Sequence, residues 1–360
     1  MGRKTKRGKK ATGANGPKKA AGTKSNEKFS IDEILDKVDE YMDSFDLKMA
    51  QMFCQRALEM DPDHDRALVT SGILLLEGGE MEKAKQCFGR AIEIAPDTDH
   101  SKYMYMGQLI TGSEAIAYFE KGIELMKTKV KVGESSESAE ESGVSKQDIS
   151  NAYCSIAEIF LTDQCMEAEA ESRCQACLEE ALKEDSENPE AYQLFGSFWL
   201  SKDDKVKARE VLEKGVSLWL PQWKETEKPE GAALDPVELC PLSYPARMNA
   251  AKLLIEVESF DMASEILELL LDEADEVVEV WYMLGWLNHL QGEDYKGNAR
   301  YYLNKAMEVA TKTKYDDEDV LKHTKEIIEL LGPAESEEEN GVDDAEDESD
   351  MDTDEETMEH

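Results

Sequence analysis

The sequence predicts an all-α fold: a superhelical solenoid of about seven helix pairs with a C-terminal capping helix, flanked by disordered tails. Three observations support this prediction. Small and large apolar residues recur at one fixed spacing, in segments that have the 3.6-residue period of a helix. Polar turns and prolines separate these segments. The charge changes abruptly near both ends, which indicates a basic disordered arm at 1–28, a solenoid at 29–332 and an acidic disordered tail at 333–360.

The clearest helix pair is "RALVTSGILLLEGGEMEKAKQCFGRAIEIAP". Its markers are separated by 4, 12, 4, 3 and 5 positions, and they are Leu68, Gly72, Ala84, Phe88, Ala91 and Pro96. Small residues at this spacing let two helices cross closely, while larger apolar residues fill the space between successive pairs. The spacing resembles the tetratricopeptide repeat, a helix–turn–helix unit of about 34 residues.

Six other segments keep all or part of this spacing. In chain order their markers are Ala50, Cys54, Ala57 and Pro62; Gly107, Ala115, Phe119 and Gly122; Tyr153, Ala157, Leu178 and Ala181; Tyr192, Gly196, Ala208, Leu212 and Gly215; Ala251, Ala263 and Leu267; and Gly285, Ala299, Leu303 and Ala306. The third unit of the chain has a short turn and the fourth a long one. A final amphipathic segment, "DDEDVLKHTKEIIELLG", is expected to cover the end of the stack.

Two segments interrupt the repeats. The Ser/Glu/Gly-rich stretch at about 127–149 is too polar to bury a core and is predicted to be a disordered insertion. The stretch at about 221–245 contains five prolines, which favours a long loop over a helix.

The net charge of −39, from 80 acidic and 41 basic side chains, favours basic partners and argues against direct binding of nucleic acids or anionic membranes. The N-terminal arm is the exception, with ten Lys/Arg and one Glu in residues 1–28. We expect it to serve nuclear import by binding an import receptor; a nucleic-acid contact and a merely solubilising arm are the alternatives. No secretory signal or membrane span is evident, and seven cysteines suit a reducing compartment, so cytoplasm and nucleus are expected.

No catalytic or cofactor motif stands out. Cys174 and Cys177 form a single C-x-x-C inside a predicted repeat helix, where small thiols usually pack rather than bind metal. The five histidines are scattered, and nucleophile-elbow, phosphate-loop and HExxH patterns are lacking. The sequence therefore predicts a non-catalytic protein without a cofactor or a metal.

The first helices of such a solenoid line its concave groove. Carboxylates are frequent at their predicted groove positions, among them Asp39, Glu158, Glu190 and Glu279. These residues are candidates for binding a basic segment of a partner protein. The alternative interpretation is an ordinary solvated acidic face.

Two aromatic residues extend the candidate site in the stretch "EVWYMLGWLNHLQGE". Trp281 occupies the aromatic packing marker of the repeat and is expected in the core. Tyr282 and Trp286 fall on the other side of the same helix, where they could anchor a partner. For Trp286, packing beneath the C-terminal helix is the alternative.

Several segments resemble one family in particular, the eukaryotic assembly chaperones dedicated to ribosomal protein L-four. They are "NPEAYQLFGSFWLS", "SLWLP", "LCPLSYPARMNAAKLLIE", "DEADEVVEVWYMLGW" and the acidic C-terminus. The resemblance implies a chaperone that captures a basic loop of the new ribosomal protein and accompanies it to the nucleus for large-subunit assembly. A general tetratricopeptide-repeat scaffold, or a histone- or chromatin-associated adaptor, is the alternative function.

Overall fold

A computed structural model describes residues 29–134, 143–225 and 240–332, and every regular element in these ranges is a helix. The helices are α1 Ile31–Asp43, α2 Leu47–Met60, α3 Asp65–Glu77, α4 Met81–Ile94, α5 Ser101–Leu109, α6 Gly112–Glu134, α7 Lys146–Leu161, α8 Ala170–Glu184, α9 Pro189–Ser201, α10 Lys205–Ser217, α11 Leu220–Glu225, α12 Tyr244–Glu256, α13 Phe260–Glu273, α14 Val278–Gln291, α15 Lys296–Thr313 and α16 Glu318–Leu331. None of these described helices is long and apolar enough to span a membrane.

The helices follow the predicted order of seven pairs, and the all-α fold class is confirmed. In each pair a first helix is followed by a second, and α16 comes last. The short helix α11 is an addition between the fifth and sixth pairs. The chain divides into two compact units, one with α1–α5 and one with α6–α16. Both predicted tails, 1–28 and 333–360, lie outside the described residues.

The first unit shows why the repeat markers are small. A Cβ atom added to Gly72 on α3 would lie 2.5 Å from Cε1 of Phe88 on α4, and Phe88 is fully buried. Only glycine lets the two helices approach this closely. The turn between them uses a second glycine, Gly79, with a φ of +76° that most side chains disfavour.

Buried polar side chains satisfy the carbonyl groups at the ends of second helices. In the first unit the fully buried Lys102 ammonium contacts Asp65 Oδ1 at 2.8 Å and the Ala95 carbonyl at 2.5 Å. In the second unit Ser150 donates to the Ala181 carbonyl at 2.8 Å. Each of these two carbonyls also accepts a backbone N–H, so the buried side chain supplies a second donor and joins neighbouring helices.

In the second unit the first helices form one layer. Helices α7, α9, α12, α14 and α16 each contact the next member of this series. We call this series the first-helix layer. The second helices α8, α10, α13 and α15 pack against it, and the core lies between.

The insertion predicted at 127–149 is helical at both ends, so its predicted bounds are wrong. Helix α6 continues through residue 134, and α7 begins at residue 146. Lys127 shows why the polar sequence stays helical: its ammonium contacts Glu184 Oε1 at 2.8 Å and the Tyr153 hydroxyl at 3.0 Å. Only residues 135–142 of this segment lie outside the described residues.

The proline-rich loop predicted at 221–245 is also shorter than expected. Pro221 and Pro245 lie in the first turns of α11 and α12, where the missing N–H would have no helical partner anyway. Between them, Trp223 is 2 % exposed and lies under the guanidinium of Arg247, 4.4 Å from the ring centroid. Both ends of the segment therefore belong to the core, and residues 226–239 lie outside the described residues.

Candidate partner-binding site

The six predicted binding residues all lie on first helices. Asp39 is on α1 of the first unit, while the others are on the first-helix layer of the second unit: Glu158, Glu190, Glu279, Tyr282 and Trp286. Their surroundings differ, and these differences decide which of the six side chains are already contacted by other residues of the chain.

Asp39 is already paired within the first unit. Its Oδ2 lies 2.6 Å from Nη2 of Arg66, and the same guanidinium nitrogen lies 3.2 Å from Oδ1 of Asp36. The pair is largely exposed, so it contributes only about 0–1 kcal/mol to stability. A cationic partner at Asp39 would therefore have to compete with Arg66 or join it.

Glu158 and Glu190 are two neighbouring carboxylates on the first-helix layer of the second unit. Both are exposed, on the contacting helices α7 and α9. Within the described residues neither forms an ion pair with a Lys or Arg side chain. Partial desolvation raises the pKa of Glu190, and the negative charge of Glu158 raises it further. The two groups therefore form a region of unneutralised negative charge.

Asn188 holds this region in place. It is the N-cap of α9, and its side-chain oxygen accepts from the Glu190 and Ala191 N–H groups at 3.0 and 3.3 Å. Its amide nitrogen donates to Ser150 and Asn151 on α7, both at 2.8 Å. One buried side chain thus caps α9 and fixes the start of that helix, with Glu190, beside α7.

Glu279 is occupied by the chain itself. The Tyr315 hydroxyl, from the turn between α15 and α16, donates to Glu279 Oε1 at 2.8 Å. Burial, followed by this contact with Glu279, raises the pKa of Tyr315. The hydrogen bond does not neutralise the carboxylate, but it takes one of its oxygens.

Tyr282 and Trp286 are stacked on each other and half-buried beneath α16. Their ring centroids are 6.2 Å apart with an interplanar angle of 16°. His323 of α16 packs edge-on against both rings, and its Nδ1 is hydrogen-bonded to the Tyr282 hydroxyl at 2.7 Å. The alternative interpretation of Trp286, packing beneath the C-terminal helix, therefore describes the structure. A role of either ring in partner binding stays a prediction.

Trp281 packs against α15, the second helix of the same pair. Its ring lies 6.1 Å from that of Tyr302 on α15, and its indole N–H donates to the Asp275 carbonyl at 2.7 Å. It is half-buried, so it has the packing role expected of the repeat marker but is not wholly enclosed.

The C-x-x-C pair is built into helix packing. Cys174 is buried, and its Sγ lies 3.6 Å from the Ala157 carbonyl on α7. Burial raises the pKa of Cys174 to about 12 and that of Cys177 to about 11, which disfavours the thiolates that bind metals. Among the described residues no three His, Cys, Asp or Glu side chains form a metal-binding group.

Sequence analysis did not identify Tyr315 and His323 as parts of this site. Both follow the last complete repeat, so repeat spacing assigns them no position. A signal for His323 was present, because it lies on one helical stripe with Val320 and Ile327, at intervals of three and four residues. Tyr315 had no comparable signal, since it lies in a turn.

Comparison with known proteins agrees with the repeat pattern. The tetratricopeptide repeat family matches residues 41–104. A solved structure titled "Assembly Chaperone of RpL4 (Acl4) (Residues 1-338)" has a TM-score of 0.62 and 24 % identity, covering 75 % of this chain and all of that one. At this level of identity the match shows the fold.

Two curated proteins are similar over most of the chain, and both are named "Probable assembly chaperone of rpl4". The one from Schizosaccharomyces pombe is 29 % identical over 303 residues, which cover 78 % of this chain and 85 % of the relative. The one from Emericella nidulans is 25 % identical over 339 residues, which cover 83 % and 80 %.

These relatives are named as chaperones, and this chain matches the tetratricopeptide repeat over residues 41–104, so the prediction of a non-enzymatic protein is confirmed. The predicted resemblance is confirmed as well: over most of its length the chain is similar to proteins named as assembly chaperones of rpl4.

Proposed function

We propose that this protein is a non-catalytic chaperone that captures a basic segment of the ribosomal protein rpl4 and shields it until large-subunit assembly. The names of the similar proteins support the client. The observation that carries the proposal is the uncompensated pair Glu158 and Glu190 on the first-helix layer. Lys or Arg side chains of the client would supply the missing positive charge, and ribosomal RNA, with its denser charge, would later compete for them.

The wider cellular role is part of the same proposal. The basic arm at 1–28 would bind an import receptor, and the complex would move from cytoplasm to nucleus. A chain with a net charge of −39 is suited to keep a basic client away from stray RNA, because its acidic surface repels nucleic acids. Direct contacts with nucleic acids or membranes are not part of this role.

Direct binding of purified rpl4 to the full-length chain tests the proposal. In the site variant, Glu158→Gln and Glu190→Gln remove the two uncompensated charges while keeping the side-chain shape. The control variant, Glu210→Gln with Asp261→Asn, removes two exposed charges from the second helices α10 and α13. Both variants change the net charge equally, so any difference between them reports the position of the charges.

We expect the site variant to bind about tenfold more weakly, which corresponds to about 1.4 kcal/mol, and the control to stay within about twofold of the wild type. Equal weakening by both variants would mean that only net charge matters. Wild-type affinity of the site variant would refute the assigned face. A core histone serves as a second basic ligand, and binding it as tightly as rpl4 would favour the histone-adaptor alternative.

A further inference from the structure

A single segment covers three of the predicted binding residues. Tyr315 donates a hydrogen bond to Glu279, and His323 contacts both Tyr282 and Trp286. We call residues 315–331 the C-terminal segment. The uncovered pair Glu158 and Glu190 lies on other helices of the same layer.

The C-terminal segment is seated through one side only. Ile327 and Leu331 of α16 are 2 % and 6 % exposed and pack on α15 with the two aromatic rings. Arg300 of α15 donates to the carbonyls of Leu331 and Gly332 at 3.0 and 3.1 Å. On the opposite side, Leu330 is 75 % exposed.

The turn that leads into the segment begins with a left-handed residue. Lys314 ends α15 with a φ of +58°, a left-handed conformation that is unfavourable for a residue with a side chain. A terminal helix with one packed face opens at a lower free energy than an interior helix, because fewer apolar contacts must be broken. Opening here would uncover Glu279 and both rings together.

We propose that the C-terminal segment competes with the client for the face formed by Glu279, Tyr282 and Trp286. This inference rests on the proposed function. In the free protein, Tyr315 and His323 occupy the groups that a client would use. In the complex, a client Lys or Arg replaces the Tyr315 hydroxyl at Glu279. A planar client group, guanidinium or aromatic, replaces His323 against the stacked rings.

The competition has a measurable consequence. If the client binds this face only in the open state, the apparent dissociation constant equals the intrinsic one divided by the open fraction. A substitution that weakens the contacts of the C-terminal segment, but leaves Glu279, Tyr282 and Trp286 unchanged, therefore tightens client binding. If the C-terminal segment only stabilises the fold, the same substitution would weaken client binding or leave it unchanged.

The test uses the full-length chain with Tyr315→Phe and His323→Ala, which remove both polar contacts to the covered face. The control is Leu330→Ala, which leaves the charge unchanged on the exposed side of α16. We expect the double variant to bind purified rpl4 about tenfold more tightly than the wild type, with the control unchanged. In the wild type, hydrogen exchange across residues 318–331 should become faster when rpl4 is added, while residues 278–291 become more protected.

Two results would overturn the inference. One is a double variant that binds as tightly as the wild type or more weakly; the other is exchange across residues 318–331 that rpl4 leaves unchanged. The exchange measurement on the wild type decides the question even if the double variant fails to fold. If the wild type still binds through Glu158 and Glu190, the proposed function survives either result. If the wild type does not bind rpl4, the proposed function fails first, and this inference fails with it.

Discussion

Two glycines of the second helix pair test whether close helix approach explains the repeat pattern. A Cβ atom on Gly72 would lie 2.5, 2.6 and 2.9 Å from three ring atoms of Phe88. A Cβ atom on Gly89, in the helix α4 that carries this ring, would meet nothing within 4 Å. We therefore predict opposite effects of one substitution: Gly72→Ala destabilises the first unit, and Gly89→Ala stabilises it.

The magnitudes follow from two opposing terms. Alanine is favoured over glycine inside a helix by about 1 kcal/mol, and at Gly89 nothing in the structure opposes this gain. At Gly72 overpacking costs about 1–3 kcal/mol, and we expect the upper end because Phe88 is 0 % exposed and three atoms of its rigid ring lie within 3 Å of the added Cβ. The net loss for Gly72→Ala is then about 2 kcal/mol, and with the gain of about 1 kcal/mol at Gly89 the two variants differ by about 3 kcal/mol.

Hydrogen exchange followed by mass spectrometry is the suitable assay, because all five tryptophans lie in the second unit and their fluorescence would not report on the first. In Gly72→Ala, amides of α3 and α4 should exchange about 30-fold faster, as 2 kcal/mol requires. In Gly89→Ala they should exchange up to about fivefold more slowly. Exchange in α14 of the second unit is the internal control. If both variants shift exchange in the same direction, helix approach does not explain the glycine marker.

Two further predictions concern titratable groups. Desolvation and Glu158 raise the pKa of Glu190 above the ordinary 4.5, so the folded state binds this proton more readily than the unfolded chain. Stability therefore falls as pH rises from the ordinary towards the raised pKa. Glu190→Gln should abolish this part of the pH dependence and stabilise the protein at neutral pH, which urea midpoints at several pH values would measure. A variant less stable than the wild type at neutral pH would contradict the predicted sign. Iodoacetamide should label the exposed Cys165 first. Burial raises the pKa of Cys54 and Cys174 to about 12, so both thiols should stay unlabelled until the protein unfolds. Equally fast labelling of Cys174 and Cys165 in mass spectra would contradict the packing described for Cys174.

The fold was predictable because its markers are steric requirements. Gly72 is needed where Phe88 meets α3, and Gly196 is needed where Leu212 meets α9, since a Cβ atom there would lie 2.4 Å from the leucine side chain. Such constraints recur with the repeat, so a pattern visible in two units supports the weaker units. The count of about seven helix pairs with a final helix followed from this pattern, and the structure agrees.

Element ends were less predictable because composition does not reveal which polar groups find partners. The stretch after residue 127 is rich in polar residues, yet Lys127 is bound by Glu184 and Tyr153 from neighbouring helices. Likewise, Pro221 indicates a loop until its position in the first turn of a helix is known. Contacts such as those of Lys127 join residues far apart in sequence, so the pattern of a single repeat cannot predict them.

The candidate site is also only partly predictable from the repeat pattern. Asp39 and Glu190 were chosen by one rule, as carboxylates on the groove side of first helices, but Arg66 pairs with Asp39 while Glu190 has an acid, Glu158, as its charged neighbour. Glu279 satisfies the same rule and is hydrogen-bonded to Tyr315, a residue outside the repeat. Repeat position therefore assigns each carboxylate to a first helix, but its available charge depends on neighbours that vary from unit to unit. The affinity of a client that recognises specific positions would depend more on Glu158 and Glu190 than on Asp39. This difference distinguishes recognition at specific positions from attraction to an acidic surface.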